Sequence, residues 1–222
     1  MQKGIHLYKE GKFQEALRFF RSIDVEEDQY SQVSYYLGLC YTRLEQYDEA
    51  LIYLDQVIAS SDDFAQAYQS RMVIGYIYAE TGRYRLAEFE FQHLLDEGYE
   101  SARVHAALGY ILYEQGNIPG SIKNLEEALN IDPENPTALN SLAFIMADQG
   151  LRLSVARDYI RRALNIRPDS AAYMDTLGWV LFKSGELEGA MKALKKARDL
   201  APDEKEIQEH FAHVKKAGMI NS

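Results

Sequence analysis

Small residues recur along this chain at Gly4, Gly38, Gly75, Gly109, Ala143 and Gly178, at intervals of 34, 37, 34, 34 and 35 residues. A register kept over six copies constrains the fold more than any other feature. Each copy must build the same structural unit, and a unit this short cannot bury its apolar face alone, so the copies must stack. The surrounding segments repeat as well. "LGLCYTRLEQYDEALIYL" carries Leu37, Gly38, Tyr41, Tyr47, Ala50 and Leu54. "IGYIYAETGRYRLAEFEF" carries Gly75, Tyr78, Gly82, Tyr84, Ala87 and Phe91. "LGYILYEQGNIPGSIKNL" carries Leu108, Gly109, Leu112, Gly116, Ile118, Ser121 and Leu125. The start, "GIHLYKEGKFQEALRFF", and two late segments, "LAFIMADQGLRLSVARDYI" and "DTLGWVLFKSGELEGAMKALKKARDLAP", follow the same plan.

Apolar residues at three- and four-residue spacing make each copy two amphipathic helices. A glycine such as Gly82, Gly116, Gly150 or Gly185 ends the first helix, where a left-handed C-cap is needed. The small residue of the first helix and an alanine of the second, for example Ala87 or Ala190, let the two helices approach closely. The linking turns read "IDPENP", "IRPDS" and "APDEK". In the first, Asn135 suits an N-cap and Pro136 the first helical turn. The segment "DEKEIQEHFAHVKKAG" keeps the helical period without a partner helix. It reads as a capping helix with Ile207, Phe211 and Val214 turned inward.

These residues resemble the tetratricopeptide repeat (TPR), a 34-residue unit with a W-x₂-L-G-x₂-Y…A-x₃-F…P pattern. The resemblance extends over nearly the whole chain and implies an all-α, right-handed superhelical solenoid of antiparallel helix pairs, with about thirteen helices. The expected repeats are residues 1–30, 31–67, 68–101, 102–135, 136–170 and 171–204, followed by a cap and tail over 205–222, all in one solenoid domain. Ser121 stands where the pattern has alanine, Ala143 where it has glycine, and Glu45 where the other turns have glycine. One extra residue falls near Leu151 to Leu153, and about three near Phe64 to Ala67. The first repeat has a first helix about one turn short, the expectation for a fragment or matured chain that continues upstream of Met1. "LNSLAFIMADQG" followed by "AAYMDTLGWVLFKSG" resembles a two-repeat ending of bacterial TPR proteins, which implies a bacterial source.

The chemistry-bearing residues form no catalytic constellation. No Gly-rich phosphate loop is present. Cys40 is the only thiol, in a helix position that suits a small hydrophobe. His210 and His213 stand three apart near Glu206 and Glu209, a spacing expected of a solvated polar face rather than a metal site. We expect no catalytic residue, no metal and no cofactor. The net charge of −10 argues against nucleic-acid or anionic-lipid partners. The acidity is local: residues 31–135 hold 17 Asp/Glu against 6 Lys/Arg. No apolar run approaches the ~20 residues of a membrane span, and no signal peptide is visible, so direct membrane insertion is not expected. The compartment stays open between cytoplasm and periplasm.

Functional expectation rests on three rows of the first helices. In TPR proteins this side of the helix lines a concave groove. After the small residue come Ile5, Leu39, Tyr76, Tyr110, Phe144 and Trp179; one turn on stand Tyr113 and Phe182, among others; one turn before stand Tyr35, Met72, Asn140 and Asp175. The expected peptide-binding residues are thus Tyr35, Leu39, Met72, Tyr76, Tyr110, Tyr113, Asn140, Phe144, Asp175, Trp179 and Phe182. Trp179 is expected to be partly exposed, a binding anchor rather than core. Arg43, Arg103 and Lys183 do not cluster in consecutive repeats, so no carboxylate clamp is expected; Asn140 is isolated, so neither is an asparagine ladder. The leading expectation is a non-enzymatic scaffold that binds an apolar or amphipathic segment of another protein. Self-assembly into a homo-oligomer, and binding of a hydrophobic small molecule or lipid, stand as alternatives.

Overall fold

The computed structural model describes residues 1–60 and 63–220, and among these thirteen α-helices and no strand. They run α1 (Gln2–Lys9), α2 (Phe13–Ser22), α3 (Tyr30–Arg43), α4 (Tyr47–Ser60), α5 (Phe64–Glu80), α6 (Tyr84–Asp96), α7 (Ala102–Glu114), α8 (Ile118–Ile131), α9 (Pro136–Asp148), α10 (Leu153–Ile166), α11 (Ala171–Lys183), α12 (Leu187–Leu200) and α13 (Lys205–Ile220). The chain divides into two compact units, Met1–Glu100 and Ser101–Ser222. In the first, α1 to α6 pack in sequence as three hairpins. In the second, α7–α8, α9–α10 and α11–α12 form three hairpins, and the first helices α7, α9, α11 and α13 also touch in that order.

The hairpins close as the sequence demands. A Cβ built on Gly109 would sit 2.5 Å from Leu125 Cγ, and one on Gly178 equally close to Leu194 Cγ. The same fit recurs between Gly38 and Leu54 and between Gly75 and Phe91. The facing residues Ala50, Ala87, Ala156 and Ala190 are fully buried. Ser121 is buried in the same position and donates a 2.6 Å hydrogen bond to the Gly109 carbonyl, so the hydroxyl becomes a tie across the α7–α8 pair.

The helix ends follow local chemistry. Asn135 accepts from the Ala138 N–H at 3.0 Å with Pro136 in the first turn, and Asp63, Ser101, Asn117 and Ser170 cap their helices likewise. Glu45 holds φ +58° where other turns have glycine. The insertions are absorbed differently: α5 lengthens to 17 residues, while Arg152 turns left-handed at φ +42° ahead of α10.

The capping helix is seated as expected. Ile207 and Val214 are buried on α13, and the Arg198 guanidinium lies 4.2 Å above the half-buried ring of Phe211. Its contacts reach α11 as well as α12, so α13 continues the row of first helices.

Candidate functional site

The expected groove residues fall into two sets, one in each unit. In the first unit, Tyr35 on α3 donates to Gln69 Oε1 on α5 at 2.7 Å; these two copies are offset by 37 residues, so Gln69 stands three positions before Met72, the register partner of Tyr35. Burial, with the nearby Tyr36 and Tyr8, pushes the Tyr35 phenol up to about 12. Leu39 is half-buried, Met72 is buried, and Tyr76 is 39% exposed with its ring edge-on to Phe91. Cys40 is buried beside them, and desolvation pushes its thiol up to about 12, which leaves no reactive thiolate.

In the second unit the rows converge. Tyr110 and Tyr113 on α7, Asn140 and Phe144 on α9, and Asp175 on α11 line one cavity of about 540 Å³, together with Glu204, Glu206 and Ile207 at the start of α13. Tyr110 is 45% exposed, and Tyr113 meets Phe144 edge-on at 5.9 Å. The walls are aromatic, while the rim and floor carry carboxylates: Glu114, Asp175, Glu204 and Glu206. Desolvation raises the Glu206 carboxyl above its usual range; His210 opposes this, and Asp175, Glu114 and Glu204 add to it. Burial also raises the Tyr113 phenol, with Asp148, Glu114 and Glu206 acting the same way.

Trp179 and Phe182 do not join this cavity. Trp179 is 8% exposed, against the expectation of an open anchor. Its indole stacks on the His210 imidazole of α13 at 4.5 Å, with Phe182 at 5.5 Å and His213 at 5.6 Å. The physical reason is that α13 occupies the next place in the row of first helices and covers the face that α11 would have left open. Asp175 is likewise 5% exposed, and its Oδ2 lies 2.7 Å from His210 Nδ1. Taken alone, burial would lower the His210 pKa; the Asp175 hydrogen bond and charge outweigh it, and Glu206 and Asp148 add to them, so the net value is raised. His210 is therefore not part of a solvated face, as its sequence context suggests, although His213 is exposed. Among the described residues no group of three or more His, Cys, Asp or Glu could hold a metal ion.

Glu114, Glu204, Glu206 and His210 were not in the expected set. A signal for His210 exists: it follows Asp175 by 35 residues, the same interval that separates Ala143 from Gly178. Treating α13 as one more first helix, rather than as a detached cap, brings His210 over Asp175.

An all-α stack of hairpins with a side-chain-lined groove defines a helical-repeat scaffold. Family models described as tetratricopeptide or TPR repeat match residues 7–73, 109–150 and 147–205, together more than half of the chain. The chain belongs to the tetratricopeptide-repeat proteins. Among curated relatives, a TPR repeat-containing protein of Pseudomonas aeruginosa is 26% identical over 74% of this chain and 27% of its own length. The human protein O-mannosyl-transferase TMTC1 is 25% identical over 79% of this chain and 20% of its own. This chain thus spans about a quarter or less of those relatives. Among solved structures, the APC/C hetero-tetramer Cut9–Hcn1 aligns with a TM-score of 0.83 at 16% identity, over 98% of this chain and 42% of that one. YrrB, described as a TPR protein with an unusual peptide-binding site, aligns with a TM-score of 0.58 at 20% identity, over 92% and 97%. The fold is an all-α TPR solenoid, in general a protein-interaction scaffold and typically non-enzymatic. No helix among the described residues is long and apolar enough to cross a membrane.

Proposed function

We propose that the second unit binds a peptide segment of another protein in the groove walled by α7, α9 and α11. The observation that carries this reading is the convergence of Tyr110, Tyr113, Asn140, Phe144 and Asp175 on one cavity of about 540 Å³, a size that suits one or two side chains. Rings at such positions give large contact areas at small entropic cost. The peptide-binding site named for YrrB adds support by likeness of fold. The four carboxylates in the lining favour a peptide, which can bring donors and positive charge, over a hydrophobic small molecule or lipid.

The test is retention of the protein on arrays of short peptides. Tyr110→Ala and Phe144→Ala should each lower retention by about tenfold, as hot-spot truncations of ~1.4 kcal/mol or more do. Ile166→Ala removes an exposed apolar residue outside the groove and should leave retention unchanged. Equal retention of all three variants would refute the groove. Self-association is the second reading, favoured by the exposed Ile52, Leu86 and Phe89 on α4 and α6 of the first unit. Concentration-independent monomeric sedimentation would exclude it.

A further inference from the structure

We propose that the groove of the second unit selects a cationic side chain, so that the partner segment presents a lysine or arginine between apolar residues. This rests on the peptide-binding reading above and goes beyond it by fixing the charge of the guest. The first observation is the lining. Glu114, Asp175, Glu204 and Glu206 contribute carboxylates, and no lysine or arginine lines the cavity. The second is independent. Asp175 is 5% exposed, and its two oxygens differ: Oδ2 faces His210, while Oδ1 is out of reach of solvent and has no hydrogen-bond partner. Asn140 Oδ1, on the neighbouring helix and in the same lining, is also buried and unpaired. Both atoms are acceptors, so the unmet need of the floor is for donors or positive charge. A buried carboxylate with half its capacity unused projects its charge into the cavity that it lines.

The walls suit the same guest. Tyr110, Tyr113 and Phe144 offer ring faces and edges to the stem of a long side chain, and ring faces attract a cation within about 6 Å. Desolvation raises the Glu206 carboxyl first and the neighbouring Asp175, Glu114 and Glu204 raise it further, and a bound ammonium or guanidinium would offset that negative charge. Arginine meets this site best, because its fork can serve a carboxylate of Glu114, Glu204 or Glu206 while its plane stacks on a ring.

The experiment uses pools of ten-residue peptides, randomised except for a central arginine, lysine, citrulline, leucine or glutamate, immobilised and probed with the full chain. The arginine pool should retain at least about tenfold more protein than the citrulline pool, the difference of a desolvated charge in place of its neutral isostere. Lysine should follow arginine, and glutamate should fall below leucine. In the Glu114→Gln, Glu206→Gln double variant, checked by its thermal melt to be folded, the arginine preference should drop below about threefold, and added salt should reduce it in the native protein. Equal retention of the arginine and citrulline pools, with loss of both in Phe144→Ala, would overturn the cationic preference and leave peptide binding standing. Retention of no pool would overturn both readings, as would a preference that survives the double variant alongside full retention by Phe144→Ala.

Discussion

Replacing Trp179 by alanine tests the largest departure from the sequence reading. An indole of this kind removes roughly 150–250 Å² from water, and at about 25 cal/mol per Å² that is worth about 4–6 kcal/mol. Trp179 Nε1 is buried without a hydrogen-bond partner, so truncation also removes a desolvation cost of ~1–3 kcal/mol. The difference leaves an expected loss of about 3 kcal/mol, at the lower edge of the ~3–5 kcal/mol range for large aromatic truncations in cores. The loss should be local, since the indole joins α11 to α13 through His210 and His213. Urea unfolding followed by far-ultraviolet circular dichroism measures it, and hydrogen exchange locates it in α13. The native emission should be blue-shifted and protected from quencher, and since Trp179 is the only tryptophan it reports this junction alone. A red-shifted, quencher-accessible emission with a loss under about 1 kcal/mol would refute the packing argument and restore Trp179 to the open groove.

Glu45→Gly should raise the stability of the first unit by about 1 kcal/mol, because a side chain at φ +58° costs ~1–2 kcal/mol and glycine returns part of that as chain entropy; an unchanged urea midpoint would count against it. Gly109→Ala should cost ~1–3 kcal/mol, since the new methyl would meet Leu125 Cγ at 2.5 Å and the α7–α8 pair must spread; a neutral result would show that the hairpin relaxes freely. The His210 pKa is raised, so its contribution to stability is full below its ordinary value of 6.5 and is lost as pH rises through the higher folded value. Glu206, also raised, acts in the same direction beginning near 4.5. The docking of α13 should therefore weaken as pH rises through the neutral range, and His210→Gln should flatten that dependence; a dependence of opposite sign, followed by hydrogen exchange of α13, would refute the pairing.

The helical hairpins were legible because their signals are local. Asn135 and Pro136 announce a helix start, and the spacing from Gly38 to Leu54 announces a close pair. The cavity of the second unit was legible in part. Tyr110, Tyr113, Asn140, Phe144 and Asp175 share register columns, and the fold brings them to one cavity. Trp179 was misplaced because its exposure depends on another element. Its column faces outward from α11, and only the docking of α13 decides whether water reaches it. The carboxylates were missed for a related reason. Glu114 lies at the end of a helix and Glu204 and Glu206 lie near the start of another, where solvated charge is the ordinary condition, and only the fold brings them to the rim of one cavity.

The stack of Trp179 on His210 at 4.5 Å also gives the protein an optical property. A protonated imidazole in contact with an excited indole accepts an electron and darkens it, whereas the neutral ring does so weakly. The native emission should therefore brighten as His210 gives up its proton. Because Asp175 accepts the His210 hydrogen bond and also lines the groove, a charge arriving there should shift the protonation of His210 and change the brightness. The indole would then serve as an unlabelled indicator, reading out the electrostatic state of a cavity that the fluorophore does not itself line.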